Sequence, residues 1–75
     1  GASLSDSVAC LQAAAPATAD EGPPIRVIRA TFDGQPAVIG VFVTGPGADQ
    51  AADTVTVWVV SGDCGRILHT TQTRI

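Results

Sequence analysis

Two cysteines near opposite ends of a short chain place the strongest constraint on its fold. Cys10 and Cys64 are the only cysteines among 75 residues. A chain of this length buries a small core and is marginally stable unless a cross-link or a metal holds it together. In the chain-entropy model, a disulfide between the two residues would stabilise the domain by roughly 4 kcal/mol. Disulfides persist in oxidising compartments, so the pairing also predicts an extracytoplasmic location.

Two other interpretations of the cysteines stay open at this point. Zinc sites use four ligands, usually as closely spaced pairs, and His69 is the only histidine that could join the thiols. A thioredoxin-like redox pair requires Cys-x-x-Cys, which does not occur here. Two unlinked buried thiols are the simplest alternative to a disulfide. We predict the disulfide, with no metal and no cofactor.

The charge pattern disfavours several partners. Charged residues make up 15% of the chain, the net charge is −3, and the basic residues form no run. A nucleic-acid-binding surface would carry a positive stripe, and anionic membranes attract basic segments in the same way. No apolar stretch reaches the roughly 20 residues that span a bilayer. If the protein is membrane-anchored, we expect the anchor to lie outside this sequence.

The hydrophobic periodicity predicts one domain over residues 1–75, beginning with a helix over residues 3–15. Apolar side chains recur on one stripe, formed by Leu4, Val8, Leu11 and Ala15. Ser3 followed by Asp6 resembles a capping box, and Cys10 lies at the edge of the stripe. Pro16 should end the helix.

Four strands follow a linker that we expect to be the least ordered segment. The linker covers residues 16–24, and the predicted strands cover about 25–32, 37–44, 54–61 and 66–74. β-branched residues dominate the strands, and Asp33-Gly34 is a strong hairpin signal. Consecutive strands usually pair as neighbours. The predicted fold is therefore α+β, an N-terminal helix packed on a four-stranded antiparallel meander.

Side-chain alternation divides the predicted sheet into two faces. The more apolar face contains Ile28, Ala30, Phe32, Ala37, Ile39, Val41 and Val43, joined by Val55, Val57 and Val59. We expect the helix to cover this face. The other face would then either be free for a partner or for self-association, or be covered by the linker or by the loop at 45–53. Its predicted contact residues are Val27, Val38, Phe42, Trp58 and Val60.

Residues that could carry chemistry are few. His69 is expected to be a solvated residue on an edge strand, and Asp20 with Glu21 a solvated acidic pair in the linker. No Gly-x-Ser-x-Gly motif supports a Ser-His-Asp site. We therefore predict that the protein is not an enzyme.

Several segments in order resemble the C-terminal region of actinobacterial membrane-anchored anti-sigma factors. They are Ala-Cys-Leu at 9–11, Ala-Thr-Phe-Asp-Gly-Gln-Pro-Ala-Val at 30–38, Val-Trp-Val-Val-Ser-Gly-Asp-Cys at 57–64 and Ile-Leu-His at 67–69. The resemblance implies an extracytoplasmic regulatory or sensor domain, with the cysteine pair as its staple. A regulatory protease or another extracytoplasmic protein would be the partner. The sigma factor would bind only a region absent from this sequence. The alternative is a secreted binding or inhibitor module that uses the apolar sheet face.

Overall fold

The computed structural model describes residues 4–45 and 51–75. The elements in chain order are helix α1 (Leu4–Ala14), a 3-10 helix (Pro16–Glu21), and strands β1 (Arg26–Phe32), β2 (Gln35–Thr44), β3 (Thr54–Ser61) and β4 (Ile67–Arg74). The four strands form one antiparallel sheet in the order β1-β2-β3-β4. The predicted fold class, a helix with a four-stranded antiparallel meander, is confirmed. The proposed cap at Ser3 and the side chain of Leu4 lie outside the described residues.

Helix α1 ends one residue before the predicted end at residue 15. It stops at Ala14, and Pro16 opens the 3-10 helix because proline suits the first turn of a helix but not its interior. The predicted linker is therefore partly ordered. Thr18 is buried, and its hydroxyl donates a 2.8 Å hydrogen bond to the Ala15 carbonyl. This bond lies within the first turn of the 3-10 helix, because Ala15 is its N-cap residue.

The hairpin between β1 and β2 has a two-residue turn. Phe32 pairs with Gln35, and both Asp33 (φ 54) and Gly34 (φ 83) lie in the left-handed region. This combination matches a type I′ turn, in which Asp-Gly is a favoured pair. The turn keeps Ile28 opposite Ile39, so the alternation predicted for the first hairpin is confirmed.

Strand β4 forms one edge of the sheet, and its side chains are mostly exposed. Its pairing with β3 is interrupted by an irregularity between Val59 and Val60, which pair with His69 and Ile67 respectively. Leu68 is thus the extra residue of a β-bulge. The bulge lies next to the Gly62–Gly65 turn that carries Cys64.

The helix lies on the opposite face of the sheet from the one predicted. The core under α1 contains Cys10, Leu11, Ala15, Val38, Phe42 and Val60, with Val27, Trp58 and Cys64 packed against it. We call the sheet side formed by Val27, Val38, Gly40, Phe42, Trp58 and Val60 the helix face. All five residues predicted as a partner surface belong to it. Phe42 is only 2% exposed and Val38 and Val60 are fully buried, so these three side chains are core residues beneath α1.

Candidate functional site

A glycine in β2 explains why the helix covers the less apolar face. A Cβ atom placed on Gly40 would lie 2.6 Å from Leu11 Cδ1 and 3.0 Å from Phe42 Cε1. Real Cβ atoms do not approach other atoms so closely. Gly40 therefore forms a notch in the sheet, and the fully buried Leu11 fills it. Interiors are close-packed, so this fit outweighs the larger apolar content of the opposite side.

The disulfide joins the helix to the turn between β3 and β4. Cys10 and Cys64 are bonded, with 4.8 Å between their Cα atoms. Cys10 is buried while Cys64 is half-buried. The disulfide predicted from the sequence is confirmed, and it connects the two elements that the sequence indicated.

Trp58 holds the 3-10 helix on the sheet. Its indole Nε1 donates a 2.8 Å hydrogen bond to Glu21 Oε2, and its ring packs against the core. A buried tryptophan usually finds such a partner for its N–H, and a hydrogen bond to a carboxylate is stronger than a neutral one. Glu21 is therefore a structural contact and not the solvated linker residue that we expected.

No helix of the described ranges, 4–45 and 51–75, packs on the opposite side of the sheet, which is the candidate interaction surface. We call this side the open face. Its central patch consists of Ile28, Ile39, Val41, Val43, Val55 and Val57. Ile28 is 40% exposed, and the other five are half-buried, although they lie in the middle of the sheet. One side of an antiparallel sheet is normally polar when it faces water. An apolar patch of this kind is typical of a contact surface.

Two aromatic rings stack over one end of the open face, the end nearest the Asp33-Gly34 turn. Phe32 on β1 and His69 on β4 stack, with ring centroids 5.9 Å apart and planes inclined by 23°. These residues belong to the two edge strands, so the stack crosses β2 and β3. Ala37 and Val59 lie between them on the same face and are buried. The stack thus forms a raised strap above part of the sheet and leaves the central patch uncovered. His69 is exposed as predicted, but this ring contact could not be foreseen from the sequence.

The turn after β3 is built around the Ser61 hydroxyl. Ser61 Oγ donates to Asp63 Oδ1 at 2.5 Å and accepts the backbone N–H groups of Gly65 and Arg66. The hydroxyl bond, followed by the Gly65 N–H and the Arg66 charge, holds the pKa of Asp63 below its ordinary value of 3.8. Every polar contact here is used to fix the turn that presents Cys64. The arrangement therefore supports a structural role.

A shallow depression of about 230 Å³ adjoins this turn and is lined by Gln35, Pro36, Ser61, Gly62 and Asp63. Its lining contains no imidazole or thiol that could act beside Ser61. Among the described residues, no group of three or more His, Cys, Asp or Glu side chains is arranged to hold a metal ion. No helix in the described ranges is long and apolar enough to cross a membrane.

Comparison with known proteins gives a match to a family model. The model is described as "Anti-sigma factor RsmA, C-terminal extracellular domain", and it matches residues 2–74. No match was found among curated proteins or among solved structures.

Proposed function

The chain belongs to the family of C-terminal extracellular domains of the anti-sigma factor RsmA, and we propose that it controls the release of a sigma factor from a membrane-anchored parent protein. The family match carries this proposal, because it extends over nearly the whole chain. The extracellular location agrees with the disulfide. Family membership also supports a regulatory, non-enzymatic role.

The disulfide and the Leu11 contact indicate how such a domain would act. Both fasten α1, the first described element, to the sheet. A folded domain of this kind would fix the position of the chain that precedes α1 relative to the sheet. Unfolding, or binding of a partner that changes this attachment, would alter how that preceding segment is presented to a regulatory protease. We propose that the folded domain restrains sigma-factor release in this way.

The proposal is tested in cells with the full-length parent protein and a reporter gene that depends on its sigma factor. Leu11→Asp places a charge in the core and should unfold the domain. Gln12→Asp adds the same charge at an exposed position of the same helix and serves as the control. We expect Leu11→Asp, and deletion of the domain, to raise reporter expression several-fold while Gln12→Asp leaves it unchanged. Unchanged expression after deletion of the domain would refute a restraining role.

The exposed apolar patch favours a second candidate, a secreted module that binds another protein. The two candidates differ in where the mature protein is found. Immunoblotting of cell fractions with antibodies against this domain separates them, because a restraining domain stays with the membrane fraction in unstressed cells. A full-length product found only in the culture medium would favour the secreted module.

A further inference from the structure

We propose that two copies of this chain associate through their open faces. The two-fold axis lies in the plane between the two sheets, runs perpendicular to the strands and passes near Val57. Association of this kind does not require the regulatory role proposed above. It would complete the fold as a sandwich, with each sheet covered by a helix on one side and by the other sheet on the other.

The chemistry of the central patch suits a second sheet. The patch is lined entirely by aliphatic side chains of the inner strands and of β1, and the depression beside Ser61 lies beyond its end. Binding hot spots usually combine aromatic or arginine anchors with pockets. Trp58, the chain's only tryptophan, is on the helix face. An aliphatic patch without such anchors is best matched by another aliphatic patch on a sheet, as in sandwich cores. The same face of a second copy supplies one.

The shape of the open face selects the direction of the axis. The Phe32–His69 strap crosses the open face at one end of the sheet, over β2 and β3, whereas the central patch carries only aliphatic side chains. An axis parallel to the strands would set strap against strap and separate the two patches. An axis perpendicular to the strands carries each strap to the opposite end of the partner's patch, where its His69 comes level with the row of Val43 and Val55. The two stepped surfaces then fit together.

The charges at the two ends of β3 agree with this axis. Asp53 precedes Val57 by four residues, and Ser61 follows it by four. The backbone N–H of Ser61 donates a hydrogen bond to the Arg66 carbonyl, so these two residues are neighbours. The Arg66 guanidinium donates a second hydrogen bond to the Gln35 side chain at the same end of the sheet. Rotation about an axis near Val57 therefore brings Arg66 of each copy toward Asp53 of the other, which gives two ion pairs.

One contact in this arrangement is unfavourable. Arg26 pairs with Val41, which in turn pairs with Val57, so Arg26 lies level with the proposed axis. Each Arg26 therefore approaches Arg26 of the other copy. The residue is exposed at the free edge of β1, where both guanidinium groups extend into solvent and water screens them. Replacing Arg26 with Gln should accordingly tighten the association, whereas most changes at a real interface weaken it.

The area of the face sets the expected affinity. Four strands about 4.8 Å apart, each about eight residues long with a rise of about 3.4 Å, give a face of roughly 500 Å². Two copies would bury about 1,000 Å², at the lower end of specific interfaces. We expect a dissociation constant on the order of 100 µM.

The test is sedimentation equilibrium of the purified chain from about 10 µM to 1 mM. Val57→Asp should weaken association at least tenfold because symmetry introduces the charge twice, while Thr31→Asp, exposed on the other side of β1, should not change it. Circular dichroism melts identify any loss of folding in the first variant. A chain that remains monomeric at 1 mM, or equal effects of the two variants, would overturn the proposal.

Surface charge variants test the axis without disturbing the core. Arg66→Glu should weaken the dimer several-fold, and Asp53→Arg in the same chain should restore it. Arg29→Glu makes the same charge change on the opposite side of the sheet and should have no effect. Arg26→Gln should tighten the dimer. A dimer that Arg66→Glu leaves unchanged, or that Arg26→Gln weakens, would overturn this arrangement.

Discussion

The contact between Leu11 and Gly40 makes a quantitative prediction about folding stability. Leu11→Ala removes a fully buried side chain and should cost about 3 kcal/mol. Gly40→Ala places a methyl group 2.6 Å from Leu11 Cδ1, and overpacking typically costs about 1–3 kcal/mol. Alanine regains roughly 0.5–1 kcal/mol of the backbone entropy that glycine loses in a strand. The net cost of Gly40→Ala should therefore be about 1–2 kcal/mol.

The double variant distinguishes this fit from ordinary packing. With Leu11 shortened, the new methyl group on residue 40 enters the vacated space. The double variant should therefore be about 1–2 kcal/mol more stable than the sum of the single effects predicts. Urea unfolding followed by circular dichroism measures all four members of the cycle. Thr31→Ala combined with Leu11→Ala is the control and should be additive. Additive effects for residues 11 and 40, or a stabilising Gly40→Ala, would refute the notch.

Three further predictions concern the contacts that hold the helices and the turn. Replacing both Cys10 and Cys64 with serine should lower the free energy of unfolding by roughly 4 kcal/mol. The melting midpoint should fall, and reductant should no longer change it. An unchanged midpoint would mean that packing alone stabilises the domain. Trp58→Phe keeps the aromatic packing but loses the hydrogen bond to Glu21, and it should cost about 1–2 kcal/mol of stability in urea unfolding. Glu21→Gln keeps an acceptor and should cost less. A larger loss for Glu21→Gln than for Trp58→Phe would contradict the assigned contact. Because the pKa of Asp63 is lowered in the folded state, its stabilising contribution is complete above the ordinary value of 3.8 and is lost as pH falls through the folded value. Melting midpoints measured from pH 6 to pH 2 should therefore fall more steeply for the wild type than for Asp63→Asn, and parallel curves would contradict this role.

Local signals in the sequence were sufficient to predict the sheet. Asp33-Gly34 specifies the turn type, because both positions require a positive φ that these residues tolerate. Alternation of side chains then assigns each residue to one of two faces, and the observed pairs Ile39–Val59 and Gly40–Trp58 follow it. The disulfide could be predicted because two cysteines in a short chain have few other uses.

The choice of face could not be predicted from apolar content. Gly40 makes the helix face less hydrophobic, but it also creates the space that Leu11 occupies. Counting apolar residues records only the first of these effects. The predicted partner surface was consequently assigned to the buried side of the sheet. The exposed patch around Val41 and Val57 belongs to the face that was expected to carry the helix.

The ordered part of the predicted linker depended on a contact distant in sequence. The three prolines of this segment, Pro16, Pro23 and Pro24, are typical of a flexible connection. In the fold, the Thr18 hydroxyl satisfies a carbonyl at the end of α1, and Trp58 binds Glu21 from β3. Only the Trp58–Glu21 hydrogen bond joins residues distant in the sequence, and it holds the 3-10 helix at the edge of the core.

The position of α1 on the sheet is the central claim, since it decides which surface remains free. Nuclear Overhauser effects from the Leu11 methyl groups test it directly in solution. The structure predicts contacts from these methyls to the Gly40 α-protons and the Phe42 ring, and none to the methyl groups of Val41 or Val57. Strong contacts to Val41 and Val57, with none to Gly40, would contradict it and would return the open face to the opposite side of the sheet.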